Sequence, residues 1–340
     1  MKTATRISAS VGIAALLIIG LMTWGGVSPS DAIDTILQLP PHVYLIALGM
    51  HMTLYCLRAL RFNLLIPRER RPSFRRSLIV SGAHNMASYV LPAKTGEASL
   101  VVYLRMQCGV PSAMGLASLM VSRLLDGATL CLGLSAACLW LAHSGRYDYL
   151  EWLGNAGLVL IFLCAVFAVL SVRGDLLVRV IAWAARWMKL HHFSFGEGLL
   201  SKANQLALAL RSAGGGGRLY LAAFVTIPVW LLVFAFYAVL SREMGLPRHF
   251  SFAEATFGSS LAVMFNLLPV NGMAGVGTQE LGWVTGFSKF LGVEESIALS
   301  AGIGCHAIQL FNVVAIGLVA HLFMGVMPRL HFDPVEEQVP

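Results

Sequence analysis

Apolar runs long enough to cross a bilayer recur along this chain, separated by short polar breaks. Six such windows lie at about 8–27, 42–66, 113–142, 153–172, 219–240 and 296–327. Each covers a hydrocarbon core of about 30 Å when helical. Two further apolar stretches, Ser77 to Leu91 and Phe252 to Leu268, are too short for that, carry polar residues and run into Pro92 and Pro269. The pattern predicts an all-α integral membrane protein with about six full spans plus two re-entrant half-helical segments. The first window lacks a convincing small-residue cleavage site and further spans follow it, so it reads as an anchor rather than a removed signal peptide.

The polar breaks set the topology. Lys2 and Arg6 precede the first span, and Asp31 and Asp34 follow it. The cluster Arg68, Arg70, Arg71, Arg75 and Arg76 follows the second, and another basic stretch runs from Arg173 to Arg218. Cytoplasmic loops hold an excess of Lys and Arg, so these clusters face inward and both termini are expected in the cytoplasm. Within 173–218, Arg179, Arg186 and Lys189 share one helical face, with Trp183 and Trp187 between them. That suits a helix in the headgroup layer, or equally one packed on neighbouring protein. The expected organisation is one transmembrane domain over residues 1–340: a repeat over about 42–142, a cytoplasmic amphipathic linker over about 173–218, and a repeat over about 219–327.

Composition agrees with this and removes several function classes. Hydrophobic residues make up 57% and charged residues 12%, half the roughly 25% that a water-wetted surface requires. The excess of 24 Lys+Arg over 17 Asp+Glu lies beside apolar spans without aromatic interleaving, which argues for topology and against nucleic acid. Six scattered cysteines without a CxxC, and a lone His191-His192 pair, give no disulfide framework, metal site or cofactor site. No GxxxxGK[ST] loop is present, so the expected energetics are proton coupling or downhill movement.

An internal echo is the most informative pattern. Ser73-Phe74 opens one half-span, followed by Asn85, Leu91-Pro92 and Gly96-Glu97; Ser251-Phe252 opens another, followed by Asn266, Leu268-Pro269, Gly272, Gly275, Gly277 and Glu280. On the topology above the two enter from opposite sides. Paired Pro/Gly-broken segments of opposite orientation are the sequence signature of inverted-repeat transporters.

Charges at membrane depth cost about 2.5–3.5 kcal/mol and need a partner or a cavity. Arg123 and Asp126, three apart within the cytoplasmic half of the third window, either lock helices as an ion pair or line a headgroup pocket. Glu97 and Glu280 follow the two breaks and either cap the next helix, meet a cationic group or take up a coupling proton. Lys94, Arg58 and Arg61 are candidate phosphate contacts near the inner mouth, with snorkelling to the interface the alternative for Arg61. Asn85, Asn266 and Asn271 suit headgroup hydrogen bonds, and helix–helix bonds explain the first two equally well. His306, Gln309 and Asn312 form a polar stripe that faces a cavity or seals a helix contact. Pro92, Gly96, Pro269, Gly272, Gly275 and Gly277 serve the turns.

The blocks Asn85-x6-Pro92-Ala93-Lys94-Thr95-Gly96-Glu97 and Leu268 to Glu280, with Arg58-x2-Arg61 and Arg123-x2-Asp126, resemble the lysylphosphatidylglycerol synthase transmembrane-region family. The likeness covers about residues 8–327. Lys94 stands where an Arg is usual, which loses a bidentate fork, and Ser122 stands where a Glu often precedes the Arg. The resemblance implies lipid translocation in a bacterial inner membrane, without the fused aminoacyl-transferase domain of the full-length synthases. Relatives act on aminoacylated phospholipids, polyprenyl-linked sugars and hopanoids, so it does not fix the cargo. Candidate partners are membrane lipids, a second copy in a homodimer and a separate lipid-synthesis enzyme. A membrane-embedded lipid transferase or hydrolase, and a carrier of a small soluble solute, are the competing readings. No HExxH, aspartate-rich or GxSxG motif supports an enzyme.

Overall fold

The computed structural model describes residues 18–147, 152–172, 217–267 and 273–326, with isolated positions at 12, 15, 16 and 183; side chains are described for these except at 92–94, 165–172 and 273. Among the described residues the regular structure is entirely helical. Helix α1 (Pro29–Leu37) is followed by α2 (Pro41–Leu65), α3 (Phe74–Val90), α4 (Ser99–Cys108), α5 (Ser112–His143), α6 (Trp152–Val172), α7 (Arg218–Glu243), α8 (Phe252–Asn266), α9 (Thr278–Val284) and α10 (Glu295–Val326).

Four of these, α2, α5, α7 and α10, are long and apolar enough to cross a membrane, and they coincide with four of the six windows. The window at 153–172 is helix α6, whose fully described part runs from Trp152 to Cys164. Most of the window at 8–27, and the linker at 173–216, lie outside the described residues apart from Trp183. The long helices are apolar on every side, the signature of helices that meet lipid outward and protein inward. On α2, Val43, Ala47, Leu54, Tyr55 and Phe62 are buried, while Leu45, Ile46 and Met52 on other faces are exposed. Phe162, Phe224, Leu231, Phe311 and Leu322 are likewise exposed. An apolar surface of this extent is incompatible with water and suited to acyl chains.

The segment holding Asp31 and Asp34, expected as a plain loop, is helix α1. Pro29 presets its first turn, and Ser28 and Asp31 form a reciprocal capping box. Hydrogen bonds from the Ser28 side chain and backbone hold the Asp31 carboxyl below its ordinary range. A depressed carboxylate stabilises the fold above its unfolded pKa and loses that contribution as pH falls through the folded value. The α1 cap is therefore expected to weaken only under acid, below about pH 4. A carboxyl-resonance titration of Asp31 checks this, and Ser28→Ala should raise its midpoint part of the way to the free-carboxylate value, the Ser28 backbone N–H still donating to it.

The two short apolar stretches become two helical hairpins. Helix α3 has 17 residues and α8 has 15, about 25 and 22 Å long, short of a 30 Å core. In the first hairpin a 3₁₀ turn over Pro92–Ala98 joins α3 to α4. A Cβ on Gly96 would stand 1.9 Å from the Ala87 carbonyl oxygen, so the turn lies directly on the last turn of α3. In the second, a turn through Met273–Gly275 leads into α9, which continues as π-helix over Thr285–Phe290. Gly258, Gly282 and Gly286 let α8 and α9 approach at backbone distance, since a Cβ on Gly286 would lie 2.7 Å from the Gly258 Cα. Helix α3 packs along α10 and α2 along α7, while α8 lies between α5 and α9.

Candidate functional site

The charged residues of α2, α5 and the first hairpin turn converge. Arg61 lies on the buried face of α2, 1% exposed. Its Nη1 and Nη2 donate to the two carboxylate oxygens of Asp126 at 2.6 and 3.0 Å, a two-pronged pairing that only a guanidinium can make. The Trp230 indole N–H from α7 also donates to Asp126 Oδ1, at 3.1 Å, and Arg61 Nη1 donates to Thr226 Oγ1 at 3.3 Å. One turn before Asp126 on α5, Arg123 donates to Asp126 Oδ2 at 3.4 Å and through Nε to Glu97 Oε2 at 2.8 Å. Its Nη2 reaches the same Glu97 oxygen at 2.6 Å. The result is a chain Arg61–Asp126–Arg123–Glu97 that ties α2, α5, α7 and the hairpin turn together.

Arg61 therefore lies inside the protein, paired with Asp126 rather than reaching outward. Both terminal nitrogens of its guanidinium are held by a carboxylate inside the protein, because a buried cation left without a counter-charge costs several kcal/mol. Asp126 takes Arg61, not Arg123, as its first partner, and Arg123 turns mainly to Glu97. A second Arg of α2, Arg58, donates to Asn85 Oδ1 of α3 at 2.5 Å, and the Asn85 amide nitrogen is fixed by donation to the Ser81 carbonyl.

A second polar group surrounds the second hairpin. Glu280 accepts from the Gly277 backbone N–H at 2.7 Å and so caps α9. Its other oxygen lies 2.6 Å from His306 Nδ1 of α10, whose Nε2 lies 3.1 Å from the Ala274 carbonyl. A carbonyl only accepts, so Nε2 carries a proton. Ala274 holds φ 59° and Gly275 and Gly277 hold 84° and 88°, left-handed backbone that the His306 bond helps to hold at Ala274. Glu97 and Glu280, alike in sequence position, thus differ in role: the first is part of the charge chain, the second a helix cap and histidine partner. Asn266 Nδ2 donates to Gln279 Oε1 at 2.9 Å. Lys94 and Pro92 belong to the first turn without a described side chain, and Pro269, Asn271 and Gly272 lie outside the described residues.

The polar stripe of α10 seals helix contacts. Gln309 accepts from Tyr237 at 2.8 Å and from Gln279 at 3.1 Å, and it donates to the Tyr89 hydroxyl at 2.5 Å. These bonds link the tip of α3 to the second hairpin. Between the two polar groups lies a cavity of about 90 Å³, with Tyr55, Arg58, Tyr89, Trp230, Tyr237 and Gln309 among its walls. Sequence reading did not single out Thr226, Trp230, Tyr89, Tyr237 or Gln279, which carry no signal of their own in an apolar helix. Glu254 was also missed. It is wholly buried, accepts from Arg146 at 2.8 Å and Tyr147 at 2.6 Å, and forms a capping box with Ser251. The Ser251-x2-Glu254 spacing was a legible sign of that cap.

Apolar membrane-length helices around a charge chain anchored on the buried Arg61–Asp126 pair define a polytopic helical membrane protein. The chain matches the lysylphosphatidylglycerol synthase TM region family over residues 7–317, and it belongs to that family. The family is a lipid-related membrane domain. A search of curated proteins finds no match.

Proposed function

We propose that the protein moves an amphipathic lipid between the leaflets of the inner membrane without modifying it chemically. The observation that carries this reading is the charge chain Arg61–Asp126–Arg123–Glu97 inside an otherwise apolar helical bundle, beside a polar-walled cavity. Ionisable residues at membrane depth mark pathways for polar cargo. On this reading the protein has six full spans, and the two hairpins are re-entrant elements of an inverted repeat whose broken ends meet near the midplane. Non-helical backbone such as the Gly96 and Ala274 turns is tolerated there only when buried in protein or facing a cavity. Both carboxylates of the chain are held by guanidinium groups, which leaves neither as a free general base for an enzyme. The basic loops support a cytoplasmic location for both termini.

Reconstitution into liposomes with fluorescent headgroup-labelled lipids, followed by dithionite quenching of the outer leaflet, tests the proposal. The wild-type protein is expected to allow quenching beyond half for selected headgroups. Arg123→Ala should insert and fold, because the Arg123 side chain is 44% exposed, yet lose that exchange. Exchange at the wild-type rate in this variant would remove Arg123 from the pathway. A chemically altered lipid in the same vesicles would replace the translocase with an enzyme.

A further inference from the structure

The charge chain and its neighbour Arg58 carry more positive than negative charge. Among the described residues, the guanidinium groups of Arg58, Arg61 and Arg123 face two carboxylates, Glu97 and Asp126. Arg61 and Arg123 take both acids. The remaining positive charge sits on Arg58, whose one hydrogen-bond partner is the neutral Asn85 amide and whose Nε has none. Arg58 lines the cavity, and so does Tyr55, one turn earlier on the same face of α2. The Tyr55 side chain is 1% exposed and its hydroxyl also lacks a partner. A third wall group, the Tyr89 hydroxyl, accepts from Gln309 and keeps its own proton to donate.

The other polar walls are committed. Trp230 N–H goes to Asp126, Tyr237 and Gln309 bond each other, and His51 Nδ1 lies 3.3 Å from the Ala47 carbonyl. Among the described residues no Asp or Glu lines the cavity. A half-buried cation without its own carboxylate, and the buried Arg58 Nε and Tyr55 hydroxyl without partners, each cost free energy until an acceptor arrives. At about 90 Å³ the space takes several waters or a single phosphate group.

We infer that this cavity binds the phosphate of a net-anionic headgroup through Arg58, Tyr55 and Tyr89, and disfavours headgroups bearing an ammonium. The assignment of that phosphate to a lipid rests on the translocase reading; the anion chemistry stands on the cavity itself. A lysyl, choline or ethanolamine cation would meet Arg58 and find no carboxylate on the described walls, so the cavity does not serve as an amine receptor.

Titration calorimetry on the full chain in neutral detergent tests this, with four probes: dihexanoyl phosphatidylglycerol, dihexanoyl phosphatidylcholine, short-chain lysylphosphatidylglycerol and glycerol 3-phosphate. Phosphatidylglycerol is expected to bind at least about tenfold more tightly than the choline and lysyl lipids. Tyr55→Phe should weaken it about tenfold or more, the loss of one hydrogen bond to a charged group. The same variant should unfold no earlier than wild type, since it removes a buried hydroxyl that has no partner, and this separates lost binding from misfolding. Equal binding of all three lipids, or an unchanged affinity in Tyr55→Phe, overturns the assignment. If glycerol 3-phosphate binds as tightly as phosphatidylglycerol with the same Tyr55 dependence, the anion site stands and its ligand is a soluble phosphate. Absence of exchange in the liposome assay beside intact phosphatidylglycerol binding would retire the translocase reading and leave the site in place.

Discussion

Asp126→Asn is expected to destabilise the protein by about 3–5 kcal/mol, the penalty of leaving a buried cation without its counter-charge. The substitution keeps side-chain shape and still offers one oxygen, so the loss reports charge rather than packing. Arg61, 1% exposed and paired at 2.6 and 3.0 Å, would then face a neutral amide. Arg123 would keep Glu97 alone. A double variant, Arg61→Met with Asp126→Leu, should recover most of the loss, because desolvating an ion pair offsets much of its attraction and well-packed apolar side chains replace it at little cost. Thermal unfolding in detergent, followed by size-exclusion of the heated samples, measures both. A single variant as stable as wild type would mean that Arg61 relaxes to solvent. If the recovered double variant is inactive in lipid exchange, the pair serves transport as well as assembly.

Gly96→Ala is expected to be the most damaging of the small substitutions. Its Cβ would lie 1.9 Å from the Ala87 carbonyl oxygen, 2.4 Å from the carbonyl carbon and 2.6 Å from the Ser88 Cα. All three are backbone atoms, so no rotamer change relieves the clash and the turn must lift away from α3. Overpacking in a well-filled interior costs about 1–3 kcal/mol or more. Lifting the turn also withdraws Glu97 from Arg123, whose bonds to it are 2.6 and 2.8 Å. The variant should therefore lose stability and lipid exchange together. Gly49→Ala is the matched control, since nothing lies within 4 Å of its added methyl. Equal stability of the two variants would show that the hairpin turn has room to shift.

The one-dimensional pattern of this chain settles how it meets its solvent. Long apolar runs force helices, because in hydrocarbon every backbone N–H and C=O must be paired within the segment. Four membrane-length helices, and the boundaries of α3 and α8 to within a few residues, follow from run length and from the prolines that end the short stretches. Site residues were legible only as types: Arg, Asp and Glu are conspicuous where charge is costly, so Arg58, Arg61, Glu97, Arg123, Asp126 and Glu280 stand out whatever the fold. Pairing was legible only where it is local: the i, i+3 spacing gave the Arg123–Asp126 pair, which stands at 3.4 Å. Arg61 and Asp126 are 65 residues apart, and their meeting depends on how α2 and α5 are rotated and offset, which no local periodicity encodes. The i, i+3 spacing favoured Arg123 as the partner of Asp126, yet Arg61 points directly across the helix interface and offers both donors at once. Neutral wall residues were harder still. Tyr55, Tyr89, Trp230 and Gln309 look like ordinary residues of apolar helices, and only packing decides which of their polar atoms find partners and which are left facing a cavity.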